Sequence, residues 1–214
     1  MPTQEVLIPA GKVSLPGTAT IPGGATGIVA FAHGSGSSRH SPRNQYAAGV
    51  LHEHGIATLL FDLLTPREDQ AYAMRFDIEL LTRRLLAALA WLEGNPETGG
   101  MKLGCFGAST GAAAALQAAA RKPEIAAVVS RGGRPDLAGP QALTLVRAPT
   151  LLIVGGRDDG VIELNRQACA LLRCEKQLEI VSGATHLFEE PGTLELAAEH
   201  AARWFEQHLR PAKA

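Results

Sequence analysis

Short apolar runs and longer stretches of helical periodicity alternate along most of this chain. Gly27-Ile28-Val29-Ala30-Phe31-Ala32 is apolar without interruption, the pattern of a strand buried on both faces. Ile56–Phe61 is the next buried run, and Met101–Phe106, Ile125–Val129, Thr150–Val154 and Gln177–Val181 read as further strands. Between them the spacing turns helical. Pro42 to about His54, Thr110–Ala120, Val161–Leu172 and Leu194–His208 each read as a helix. A longer one is predicted over about Ala71–Leu92, where Ile78, Leu81, Leu85 and Leu89 mark one buried face. Before all of these, Val6 to about Ile21 alternates apolar residues with Gly and Pro, as a small antiparallel hairpin does. Strands that alternate with helices form a mostly parallel sheet, because parallel neighbours need crossover connections. The expected fold is α/β and doubly wound, with helices on both faces. Strand order is not legible in such a pattern. No repeat or linker divides the chain, so one domain over residues 1–214 is expected.

Composition narrows the function classes. The chain has 214 residues, 46% hydrophobic and 19% charged, with a formal net charge of −1. That balance provides no electrostatic footprint for nucleic acid or an anionic membrane, and neither is expected as a partner. No apolar run approaches the roughly 20 residues of a membrane span, and the N-terminus does not resemble a signal peptide. Cys105, Cys169 and Cys174 are odd in number and lack a Cys-x-x-Cys spacing. They read as reduced thiols of a cytoplasmic protein, with Cys105 packed inside its strand. No metal or cofactor is expected.

The candidate chemistry begins at Gly107-Ala108-Ser109-Thr110-Gly111. A serine hydroxyl is a weak nucleophile unless it is held exposed beside a base. Gly-x-Ser-x-Gly achieves this where a strand turns sharply into a helix, and here a strand precedes it and an alanine-rich helix follows. The helix also turns its unpaired N–H groups towards the serine. Such a serine needs an imidazole to take its proton and a carboxylate to orient that imidazole. Reacting groups collect in loops after parallel strands. After Gln177–Val181 comes Ser182-Gly183-Ala184-Thr185-His186, and His186 is the one histidine of seven that follows a late strand in a glycine-containing loop. After Thr150–Val154 comes Gly155-Gly156-Arg157-Asp158-Asp159, where either aspartate fits the acid role or a plain turn. His52, His54, His200 and His208 fall on helices and read as structural or solvated.

Taken in order, His33-Gly34-Ser35-Gly36, Gly107-Ala108-Ser109-Thr110-Gly111, Gly155-x-x-Asp158-x-x-Val161 and Gly183-Ala184-Thr185-His186 resemble the α/β-hydrolase superfamily, in its small dienelactone-hydrolase-like branch. The resemblance spans nearly the whole chain. It implies that Asp158 is the acid, completing Ser109 and His186. It also implies an oxyanion hole of two backbone N–H groups, from Thr110 and from Ser35, with Gly36 as the alternative donor. His33 then reads as a residue that shapes this loop. The chain departs from the dienelactone hydrolases themselves. Ser109 stands where they carry cysteine, and Gly34 where a glutamate is expected. Leu187, Phe188, Glu189 and Glu190 occupy the stretch where a substrate-binding arginine would lie.

Only Ser130–Ala148 separates the sixth and seventh strands, too little for a helical lid, so an open, shallow site is expected. Arg39, Arg43, Arg67, Arg131 and Arg134 follow strand ends near its mouth. Arg39, Arg67 and Arg131 are the candidate ligands of an anionic substrate group. The expected activity is hydrolysis of short-chain carboxylic esters through an acyl-serine, on a small-molecule ester or thioester. Thioester hydrolysis and acyl transfer would use the same parts. From a different class, a receptor with vestigial catalysis is the competing reading. Nucleotide binding fails, because His33–Ser38 lacks both Gly-x-Gly-x-x-Gly and a Gly-Lys-Ser/Thr ending.

Overall fold

In the computed structural model, which describes residues 1–210, the chain begins with the expected hairpin. Strand β1 (Thr3–Ala10) pairs antiparallel with β2 (Val13–Thr20). The two-residue turn is Gly11-Lys12, and Gly11 takes φ +71°, as hairpin turns of this length require. The remaining strands are β3 (Gly27–Ala32), β4 (Ala57–Phe61), β5 (Lys102–Ala108), β6 (Ala127–Arg131), β7 (Thr150–Gly155) and β8 (Lys176–Val181). They join in one eight-stranded sheet of order β1-β2-β4-β3-β5-β6-β7-β8. From β4 to β8 every pairing is parallel.

The apolar runs became strands because helices cover the sheet on both sides. Strands β3, β4, β6 and β7 are buried along their full length. One face receives α3 (Ile78–Gly94), α4 (Thr110–Arg121) and α6 (Asp159–Leu171). The other receives α1 (Pro42–Glu53) and α7 (Thr193–Leu209). On that second face Phe31 and Phe106, paired across β3 and β5, stack with ring centroids 4.6 Å apart. Beside them α7 lies close: a Cβ on Gly104 would come within 2.8 Å of the Phe205 ring.

Two expectations need correction. The predicted helix over Ala71–Leu92 is broken: Tyr72–Phe76 forms a 3₁₀ turn and α3 begins only at Ile78. Asp77 causes the break, since its carboxylate accepts the Leu80 N–H at 2.9 Å and caps the new helix. A four-residue helix, α2 (Pro66–Asp69), was not foreseen; Thr65 and Glu68 close it with a capping box. Between β6 and β7 there is only a 3₁₀ turn (Pro135–Ala138) and the six-residue α5 (Pro140–Leu145), so among the described residues no lid covers the carboxyl ends of the strands.

Candidate active site

The loops after β3, β5, β6, β7 and β8 meet at one edge of the sheet. Ser109 follows β5 with φ 49° and ψ −121°. A non-glycine residue in such a conformation costs about 1–3 kcal/mol, and the surroundings impose it. A Cβ on Gly107 would lie 2.4 Å from Ala112 Cα, and one on Gly111 would lie 2.0 Å from the Ala32 carbonyl oxygen. Only glycine lets α4 start this close to β5 and to the end of β3. Ser109 stands at the N-terminus of α4 without using its side chain as a cap, so the hydroxyl remains unengaged there.

His186 and Asp158 come together from the loops after β8 and β7. The imidazole Nδ1 lies 2.6 Å from Asp158 Oδ2. Backbone bonds join the two loops: the Arg157 N–H donates to Ala184 O at 2.9 Å, and the Gly156 N–H to Val181 O at 2.8 Å. Gly155 permits the approach, because a Cβ there would meet the Thr185 carbonyl oxygen at 2.5 Å. Asp159 instead opens α6, exposed to solvent. Of the two adjacent aspartates, Asp158 is the one in contact with the imidazole. Two supports of this loop escaped sequence reasoning. Glu190 Oε2 accepts the Thr185 N–H at 3.0 Å, and this bond holds the Glu190 carboxyl below its usual range. Phe188 adopts φ 56° with its ring buried behind the loop.

Gly34 and Ser35, on the loop after β3, face the serine across a cleft of about 250 Å³, with Arg131, Gly132 and His186 on its other walls. A Cβ on Gly34 would be 3.0 Å from Ser109 Cβ. The Thr110 and Ser35 N–H groups donate to no carbonyl among the described residues. The Gly36 N–H, at φ +68° beside Arg75, likewise donates to no carbonyl among the described residues. His33, almost fully buried, fixes the loop: its Nε2 accepts the Leu63 N–H at 3.0 Å and its Nδ1 lies 3.0 Å from Gly34 O. Burial lowers the titration of this ring, in keeping with a neutral imidazole that both donates and accepts.

The arginines divide. Arg39 is bound to Asp62, Nη1 to Oδ2 at 2.6 Å, and does not line the cleft. Arg67 lies exposed on α2, also outside it, so neither expected ligand reaches the site. Arg134 pairs with Asp136. Arg131 does reach the cleft, and Arg43 joins it. Arg131 pairs with Ala108 across β6 and β5, and its carbonyl accepts the Ser109 N–H at 3.4 Å. Its side chain is buried, with Nη2 donating to Asn44 Oδ1 at 3.0 Å and the guanidinium carbon 5.5 Å from the centroid of the Phe106 ring. Burial, with repulsion from Arg43, pushes its pKa down to about 10, which leaves it cationic at neutral pH.

The dienelactone hydrolase family profile matches residues 49–210, most of the chain. The chain belongs to the dienelactone hydrolase family. A dienelactone hydrolase from Anabaena variabilis is 56% identical, with a TM-score of 0.94 over 97% of this chain and 99% of its own. The esterase domain of a Rhodothermus marinus protein, only 19% identical, shares the fold, with a TM-score of 0.79 over 98% of this chain and all of that one. A Mycobacterium tuberculosis protein with the provisional name phosphoribosyl transferase is 58% identical over 96% of this chain, which covers only 46% of it. This dienelactone hydrolase family member therefore spans about half the length of the curated relatives it matches. No helix among its described residues is long and apolar enough to cross a membrane.

Proposed function

We propose that this chain is a single-domain serine hydrolase that cleaves short-chain carboxylic esters through an acyl-serine intermediate. The observation that carries the reading is the 2.6 Å contact of His186 Nδ1 with Asp158 Oδ2, in the cleft where Ser109 is held at positive φ. Ser109 Oγ attacks the ester carbonyl carbon while His186 Nε2 takes its proton. Asp158 keeps the other ring nitrogen protonated and stabilises the imidazolium. The Thr110 and Ser35 N–H groups donate to the oxyanion, each worth about 2.7–4 kcal/mol in such sites. The imidazolium then protonates the departing alkoxide, and the alcohol leaves. Water repeats the sequence on the acyl-serine: it loses a proton to His186, releases the acid and restores the serine.

Free thiols at Cys105, Cys169 and Cys174 support a cytoplasmic setting for this enzyme. The transferase named in the mycobacterial relatives is not carried over, since this chain covers 46% of those proteins. The size of the cleft supports short substrates, because about 250 Å³ falls below the roughly 300–1,000 Å³ of ligand pockets in general. A buried methylene adds about 0.8 kcal/mol and one left in water adds almost nothing. Steady-state hydrolysis of p-nitrophenyl acetate, butyrate, octanoate and decanoate tests this. kcat/KM should peak by butyrate, level off or fall by octanoate, and vanish in Ser109→Ala. A decanoate optimum, or turnover retained in Ser109→Ala, would overturn the reading.

A further inference from the structure

One buried charge in the cleft is left without a partner by the hydrolytic reading. Arg131 is 7% exposed, and no carboxylate lies within ion-pair distance of it among the described residues. Only two of its five N–H donors meet protein acceptors, Asn44 Oδ1 at 3.0 Å and Arg43 O at 3.3 Å. The Phe106 ring face compensates a part of the charge. Proteins seldom bury a cation without an anion, because desolvation costs several kcal/mol per ion. Here a second cation makes matters worse. Arg43 lines the same cleft and repels Arg131, and its own partner, Glu189, is a distant 3.7 Å away on the exposed rim. An exposed pair of that kind holds little energy, so Arg43 is free to turn inwards.

The surroundings supply further donors. Arg43 and Asn44 belong to the first turn of the twelve-residue α1, whose N-terminus carries partial positive charge. Ser41 Oγ accepts the Asn44 N–H at 3.4 Å and keeps its own proton to donate. Ser37 lines the same wall. Two guanidinium groups, two hydroxyls and a helix N-terminus outnumber the needs of a carboxylate, which has one charge and two oxygens. A phosphate monoester has up to two charges and three free oxygens, and it matches this set.

From this geometry we infer that the substrate is a short ester bearing a phosphate monoester group, which docks on Arg131, Arg43 and the start of α1 while its acyl carbon faces Ser109. The phosphate is a handle and no phosphoryl bond changes. Its charge neutralises the two arginines, and its anchoring fixes the ester over the serine. This inference rests on the proposed hydrolysis for its substrate, but the anion site can be tested apart from catalysis.

The first arm is calorimetric titration of inorganic phosphate into Ser109→Ala protein at constant ionic strength, with acetate as the carboxylate comparison. Phosphate should bind once per chain and at least tenfold more tightly than acetate. Arg131→Gln and Arg43→Gln should each weaken it tenfold or more, while Arg203→Gln, far from the cleft on α7, should not. Should Arg131→Gln lose its cooperative melting transition, the rim variant Arg43→Gln decides the matter alone. In the second arm, wild-type kcat/KM for the acetyl ester of glycerol phosphate should exceed that for the acetyl ester of glycerol at least tenfold. Absence of phosphate binding at tens of millimolar, equal binding of acetate, indifference of binding to Arg43, or no preference for the phosphorylated ester would each overturn the inference. Because the first arm needs no turnover, a failed anion site and a failed esterase give different results.

Discussion

The same substitution, glycine to alanine, should have opposite consequences at two positions of this protein. At Gly111 the added Cβ would fall 2.0 Å from the Ala32 carbonyl oxygen and 2.6 Å from the His33 carbonyl oxygen. Real Cβ atoms keep at least 3.0 Å from such neighbours, so the end of β3 and the start of α4 must separate by 1 Å or more. Both obstacles are backbone, and neither can rotate away. Overpacking in cores costs about 1–3 kcal/mol, and a collision with backbone belongs at the upper limit. At about 3 kcal/mol, and 2–4 °C per kcal/mol for a chain of this size, Gly111→Ala should lower Tm by about 6–12 °C. The displacement also pulls Ser35 away from Ser109 and Thr110. A misplacement near 1 Å typically costs about 10²-fold in rate, so residual activity at 20 °C should be about 1%. Gly49, by contrast, lies within α1 with nothing within 4 Å of its Cβ position. There alanine should stabilise by up to about 1 kcal/mol, and Tm should rise by about 2–4 °C with activity unchanged. Circular-dichroism melting with parallel ester assays measures both. A Gly111→Ala protein with wild-type Tm and activity would refute the claim that a backbone contact shapes the elbow.

Asp158→Asn should lower kcat by about 10⁴-fold, because an amide can hold the imidazole in the wrong tautomer, whereas Asp159→Asn should change it less than about threefold; the reverse ranking in steady-state kinetics would move the acid by one position. Burial holds His33 below its ordinary imidazole value, and His52 and His208 shift the same way for the same reason. Below pH of about 6.5 the unfolded chain therefore binds more protons than the folded one. The stability these rings contribute is full above that pH and is lost as the pH falls towards their lowered folded values. Urea midpoints should fall between about pH 7 and 5, and His33→Gln should flatten part of that slope; a slope indifferent to His33 would count against the Leu63 N–H to His33 bond.

What could be read in advance followed from burial on two faces. Strand β3 is an uninterrupted apolar run and β4 and β7 are apolar but for one threonine each, so the ends of all three are legible to within a residue. The break at Asp77 was missed because the apolar spacing of Ile78–Leu89 does not reveal where a helix starts; a side-chain cap decides that. Strand order and register were illegible, since pairing depends on partners remote in sequence, and with them went the fate of the arginines. Arg39 and Arg131 both stand close to strand ends. Asp62, at the end of β4, captures the first, while β6 pairs beside the elbow and turns the second into the cleft. Asn44 carried no distinguishing signal, because only the fold places it under Arg131. The Gly132-Gly133 doublet was a signal left unused: a Cβ on Gly133 would lie 1.9 Å from Ser130 Oγ, and one on Gly132 would lie 3.0 Å from the His186 carbonyl oxygen.

The central claim is that Ser109 is a nucleophile activated by His186 and Asp158, and a fluorophosphonate probe tests it most directly. Intact-mass measurement on wild-type protein should show one adduct per chain, and peptide mapping should place it on Ser109. Ser109→Ala should take up none, and His186→Ala should label slower by orders of magnitude. Protein that stays unlabelled after prolonged exposure, or an adduct that persists in Ser109→Ala, would contradict the account.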